Sequence, residues 1–148
     1  MRILLPIDDS ESSEAATRAV IRQFRASHTE LKVLHVLEWG RTVPACFSFA
    51  RGNTYASQFL SLTGKARDKA GELVQRVATV LRDSGFQVTT AVVDGDPKLA
   101  ILSSAATWKP DLIVLGSHNR RGLDRFLMGS VSEAVAREAA CSVEIVRG

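Results

Sequence analysis

The chain has 148 residues, 45% apolar and 24% charged, with nineteen basic side chains against sixteen acidic for a net charge of +3. These proportions fit one ordinary globular domain, residues 1–148, that buries roughly 68–70% of its unfolded surface, and they exclude a disordered, collagen-like or disulfide-dense chain. No apolar run approaches the ~18–20 residues of a membrane span, no secretory signal is read at the start, and charge is spread without a basic tail, so the expectation is a cytoplasmic protein that engages neither membrane nor nucleic acid.

Five short β-rich runs punctuate the chain: Ile3–Ile7, Leu31–Leu37, Val88–Val93, Leu112–Leu115 and Val143–Val146. Most are almost continuously apolar, as strands buried on both faces of a parallel sheet are. A helix is predicted over residues 11–25, with Ala15, Ala16, Ala19, Val20 and Phe24 on one face. Ser10 is its N-cap, and Glu11 and Glu14 lie in the first turn, where the helix dipole favours them. The stretch from Gly40 to about Ser57 fits no element and reads as a long surface loop. A longer helix follows from about Gln58 to Arg82, with Leu62, Leu73, Val77 and Leu81 on its apolar side and Gly85 as the terminating glycine. Asp96-Pro97 is an N-cap followed by proline at the first helical position. The helix it opens carries Ile101, Leu102 and Ala105 and ends before Pro110. The last helix begins near Ser130, where Ser130 and Glu133 have capping-box spacing. The order β-α-β-α-β-α-β-α-β argues an α/β fold, an open parallel five-stranded sheet with helices on both faces.

In such folds ligands bind beyond the carboxyl ends of the strands, at a topological switch point. The first strand ends in Pro6-Ile7-Asp8-Asp9-Ser10-Glu11, acidic and without the glycine fingerprint of dinucleotide folds. A phosphate is repelled there, whereas a base or ribose with N–H or O–H donors is not. Glu11 and Glu14 are accounted for by the helix start, while Asp8 precedes the helix and is the candidate ligand contact. The fourth strand runs into Gly116-Ser117-His118-Asn119-Arg120-Arg121-Gly122, and Gly129-Ser130-Val131-Ser132 then opens the last helix. Glycines that allow close backbone approach or positive φ, three arginines and a helix N-terminus suit an anion. If strands one and four are neighbours, the two ends together describe a mononucleotide site. The competing reading of each end is plain: a helix start complemented by carboxylates, and a solvated basic loop.

These residues resemble the universal stress protein family along essentially the whole chain. Ile3-Leu4-Leu5-Pro6-Ile7-Asp8-Asp9-Ser10-Glu11 is similar to its first strand and turn, Leu34-His35-Val36 to its second strand, and Gly95-Asp96-Pro97 to the turn opening its third helix. Asp111–His118 leads into the G-x2-G-x9-G-[ST] motif of its ATP-binding branch. Gly116, Gly129 and Ser130 match that motif at the family's spacing, and Asn119 occupies the second glycine position. The resemblance implies a Rossmann-like sheet of order 3-2-1-4-5 and ATP as ligand, accompanied by Mg²⁺ or Mn²⁺. It places Asp8 and Val36 at the adenine with Pro6 and Ile7 lining it, and Gly116, Asn119, Gly129, Ser130, Val131 and Ser132 around ribose and phosphates. Asparagine tolerates left-handed φ, so the backbone at Asn119 can be kept, while its side chain either hydrogen-bonds a phosphate or crowds it. The resemblance also implies a homodimer through the fifth strand, whose residues Val143 and Ile145 give it strong β character at a sheet edge.

Other residues receive simpler assignments. His118 has no spaced nucleophile or carboxylate partner and reads as a loop residue, and His35 as a sheet residue. Cys46 and Cys141 read as free thiols, and Trp39 and Tyr55 as possible borders of a pocket. The absence of G-x4-G-K-[ST] excludes a P-loop motor, and no residue cluster near the phosphate loop is placed to activate water, so any ATPase activity is expected to be slow. The alternative to a nucleotide-binding regulatory domain is a dimeric scaffold of the same fold that binds no nucleotide. A phospho-accepting receiver is a third reading: Asp8-Asp9 and Asp94 imitate its acidic residues, but its lysine is missing where the fifth strand ends in Val146-Arg147-Gly148.

Overall fold

The computed structural model describes residues 1–38, 53–117 and 129–147, with side chains from residue 60 onward in the second of these stretches. Nine main elements follow in alternation: β1 (Arg2–Ile7), α1 (Glu11–Gln23), β2 (Glu30–Leu37), α2 (Asn53–Asp83), β3 (Gln87–Asp94), α3 (Pro97–Trp108), β4 (Leu112–Ser117), α4 (Ser130–Glu138) and β5 (Ser142–Arg147). A 3-10 turn, Ala26–His28, leads into β2; its three residues carry no periodicity by which to foresee it. All pairings are parallel, in the order β3-β2-β1-β4-β5. This is the anticipated sheet, and it is not the 2-1-3-4-5 order of receiver domains.

Alternate side chains divide the core into two layers. Ile3, Leu5 and Ile7 of β1, with Leu31 and Val33 of β2 and Val114 of β4, meet Ala16 and Val20 of α1 and Val74 and Leu81 of α2. On the opposite face Leu4, Leu34, Ile113 and Leu115 meet Ile101 and Ala105 of α3 and Val135 of α4. Period-two alternation along central strands with apolar side chains on both faces requires helices on both sides.

Two of the helix readings need correction. α2 begins at Asn53, so residues 53–57, read as the end of a loop, are helical, and residues 40–52 lie outside the described residues. At 31 residues it is about 46 Å long, against about 26 Å for an eight-residue strand. Its first buried side chain among those described is Ala70, followed by Val74, Ala78 and Leu81. The described side chains before Ala70 thus precede the packed part of the helix; Leu62, assigned to the packed face, is 39% exposed. α4 is capped by Gly129, with Ser130 as its first helical residue, so the anticipated Ser130–Glu133 capping box does not form.

The other termini follow their local chemistry. Ser10 accepts the Ser13 amide at the start of α1, and Asp96 accepts the Lys98 and Leu99 amides at the start of α3. At the end of α2, Phe86 N–H donates to Leu81 and Gly85 N–H to Arg82, a Schellman closure with Gly85 at φ +91°. α3 ends with Lys109 in the left-handed region at φ 52°, because the proline that follows disfavours the right-handed helical conformation for the residue before it. Cys141 is a free, half-buried thiol, and burial, reinforced by the negative charge of Asp111, pushes its pKa up.

Candidate functional site

The central strand β1 pairs with β2 through Ile7–His35, but with β4 only through Ile3–Leu112 and Leu4–Ile113. Pro6 has no N–H with which to continue the second ladder. The carboxyl ends of β1 and β4 therefore part at the point where the strand order reverses, and a cleft of about 670 Å³ opens between them. Nine of the ten residues singled out in the sequence line it: Pro6, Ile7 and Asp8 from β1 and its turn, Val36 from β2, Gly116 from β4, and Gly129, Ser130, Val131 and Ser132 from the start of α4. Asn119, the tenth, lies outside the described residues, as do His118, Gly122, Arg120, Arg121, Arg125, Trp39, Cys46 and the side chain of Tyr55.

The acidic end is built by the first turn of α1. Ser13 Oγ accepts the Asp8 amide at 2.8 Å and donates to Asp8 Oδ1 at 2.6 Å, and Ser10 Oγ donates to the same oxygen. Among the described residues Oδ2 has no hydrogen-bond partner. Asp9, by contrast, is exposed and pairs loosely with Arg76 at 3.9 Å. His35, read as a sheet residue, does stand in β2 but also borders the cleft. Its Nδ1 lies 2.8 Å from the Ile7 carbonyl. A carbonyl only accepts, so Nδ1 carries the proton. The visible signal for His35 is its register opposite Ile7, which is available only once the strands are paired.

The opposite end is built by β4 and α4. Gly116 was assigned to ligand approach, and the structure adds a different demand on it. A Cβ there would stand 2.8 Å from Ser12 Cβ and closer still to the Ser12 carbonyl. The first turn of α1 is thus laid directly on β4, and Ser12 Oγ fastens it by donating to the Ser117 carbonyl at 2.7 Å. Ser132, 4% exposed, donates to the Gly116 carbonyl at 3.2 Å. Gly129 is at φ −60°, ψ 149°, so of the two roles read for these glycines it does not serve positive φ, and a side chain there carries no backbone strain. As N-cap it offers no side chain to the amides of Ser130, Val131 and Ser132, the first three helical positions. Those N–H groups have no intrahelical acceptor and stand at the positive end of the helix dipole, in the cleft wall.

Sequence reasoning missed the wall contributed by α3, Pro97 and Ile101, together with Leu34 and Leu115. These read as ordinary core or helix-start residues. Their place in the cleft follows from α3 crossing the same face of the sheet as α4.

The chain matches the universal stress protein family over residues 1–147. It belongs to that family. Among its relatives is the universal stress protein YxiE of Bacillus subtilis, 28% identical over 148 residues, which cover 99% of this chain and 98% of YxiE. The solved structure of MJ0577, a universal stress protein of Methanocaldococcus jannaschii, superposes with a TM-score of 0.81 at 28% identity, covering 99% of this chain and 95% of that one. A universal stress protein family member from Arabidopsis thaliana, solved with AMP bound, shares the fold with a TM-score of 0.65 at 19% identity, over 99% of this chain and 91% of that one. The expected family and sheet order both hold. Among the described residues no helix is long and apolar enough to cross a membrane.

Proposed function

We propose that this universal stress protein is a regulatory protein of the cytoplasm whose residues 1–148 form one domain that binds ATP in the cleft between β1 and β4. The observation that carries the reading is the start of α4. Of the three helix N-termini with described caps, α1 and α3 satisfy their amides with Ser10 and Asp96, whereas α4 has glycine and opens into the cleft. Uncapped amides at a positive dipole end favour a phosphate. The opposite end carries the Asp8 carboxylate beside apolar Val36 and Ile101, an environment for a base with N–H donors. The AMP-bound relative supports the capacity of the fold to hold an adenine nucleotide. Mg²⁺ or Mn²⁺ would arrive on the triphosphate, since these cations bind largely through phosphate oxygens.

The test is to denature the purified protein and analyse the nucleotide released, followed by calorimetric titration with ATP. Near-stoichiometric adenine nucleotide, or saturable ATP binding, is the expected result. No binding at millimolar ATP overturns the reading and leaves a scaffold function for the same fold.

The reading includes a homodimer through β5. That strand is a sheet edge, and Val143 and Ile145 are half-exposed on it. An unpaired edge of this composition invites a second copy across a two-fold axis. Sedimentation should show a dimer for the wild type and a monomer for Ile145→Lys. A wild type that stays monomeric at high micromolar concentration removes the dimer from the reading.

A further inference from the structure

We propose that Ser13 is the positioning residue for Asp8, and that the pair fixes the hydrogen-bonding face the cleft presents to a nucleobase as acceptor-only. The proposal rests on the reading of the cleft as an adenine-nucleotide site. Ser13 is a buried polar side chain, 8% exposed, in the first turn of α1. A serine hydroxyl has one proton and two lone pairs. The Asp8 amide can only donate, so Ser13 Oγ accepts there at 2.8 Å. Its single proton is then directed to Asp8 Oδ1, 2.6 Å away. Ser10 is placed in the same way: its oxygen accepts the Ser13 amide at 3.3 Å, and its proton goes to Oδ1. Both hydroxyls therefore converge on one carboxylate oxygen with their polarity set by backbone amides. Oδ2 is left as the acceptor of a side chain that borders the cleft. An exocyclic amine satisfies that oxygen, whereas a carbonyl in the same place meets it acceptor to acceptor. A site built to pair with a donor rejects the analogue that lacks one.

The same hydrogen-bond polarity makes an unusual demand on Asp8→Asn. Two serine protons still require an acceptor, so the amide carbonyl takes the Oδ1 place and the amide NH₂ takes the Oδ2 place. The face offered to the base changes from acceptor to donor, and the preference should invert toward a 6-oxo purine. Without Ser13 one of the two protons that orient the amide is lost, and the inversion should collapse.

The experiment compares ATP with ITP, which differ in the 6-amino and 6-oxo groups, by calorimetric titration of the full chain. It uses the wild type, Ser13→Ala, Ser13→Thr, Asp8→Asn and the Asp8→Asn/Ser13→Ala pair, each shown to be folded by circular dichroism. The wild type should favour ATP by about tenfold or more, the scale of one hydrogen bond to a charged group. Ser13→Ala should lose most of that ratio, and Ser13→Thr, which keeps the hydroxyl, should retain it. Asp8→Asn should favour ITP, and the double variant should show little preference. A merely structural Ser13 would lower both affinities together and leave the ratio alone. A ratio unchanged within about twofold in Ser13→Ala, or an inversion that survives in the double variant, overturns the proposal. A second measurement needs no ligand: exchange of the Asp8 amide proton should be faster in Ser13→Ala than in the wild type. A wild type that binds neither nucleotide overturns the base-recognition half along with the nucleotide reading. Faster exchange would then uphold the positioning of Asp8 by Ser13, and unchanged exchange would overturn that as well.

Discussion

Replacing Gly116 by alanine should damage both the fold and the cleft, because this position is where α1 is laid on β4. The added methyl carbon would lie 2.8 Å from Ser12 Cβ, where ordinary contacts begin near 3.4 Å, and it would overlap the Ser12 carbonyl more severely. The obstructing atoms are largely helix backbone, so relief requires the first turn of α1 to lift by more than half an ångström. Overpacking of this kind costs about 1–3 kcal/mol, and a backbone obstacle places it at the upper end. Lifting the turn also strains the Ser12–Ser117 hydrogen bond, worth about 1 kcal/mol. The total is about 3–4 kcal/mol, or roughly 6–15 °C in Tm for a chain of this length. Thermal unfolding followed by circular dichroism measures it directly. Gly71→Ala is the control: it lies within α2 with nothing within 4 Å of its would-be Cβ, and should stabilise by roughly 0.5–1 kcal/mol. The same displacement of α1 moves Ser10 and Ser13 away from Asp8, so ATP affinity should fall with stability. A Gly116→Ala protein that melts within about 2 °C of the wild type would refute the packing argument.

Three further outcomes follow from local geometry. Gly85→Ala forces an L-residue to φ +91° at the end of α2 and should cost about 1–2 kcal/mol by urea denaturation. Asp96→Ala removes the acceptor for two amides at the start of α3 and should cost about 1 kcal/mol, with ATP affinity unchanged because Asp96 does not border the cleft. Gly129→Val is compatible with φ −60°, so stability measured by urea denaturation should change by no more than about 1 kcal/mol, while calorimetry should show ATP binding lost as the side chain covers the α4 amides.

Much of this molecule was determined by local sequence. The alternation of strands and helices, the caps at Ser10 and Asp96 and the glycine stop at Gly85 depend on residues within a few positions of one another, and each is read without knowing what packs where. Nine cleft residues were likewise visible, because strand ends and helix starts are where an α/β sheet exposes polar backbone. Tertiary structure alone decided the rest. The packing of α2 is one case: Leu62 was placed on its apolar side, yet burial among the described residues begins only at Ala70, and periodicity in the chain does not say where a helix meets the sheet. Pro97 and Ile101 joined the cleft only when α3 crossed beside α4, and His35 only when β2 came into register with Ile7. The same holds for Gly116: its spacing to Gly129 is written in the chain, but the helix that occupies its missing side chain lies more than a hundred residues earlier, and only the folded sheet brings Ser12 against it.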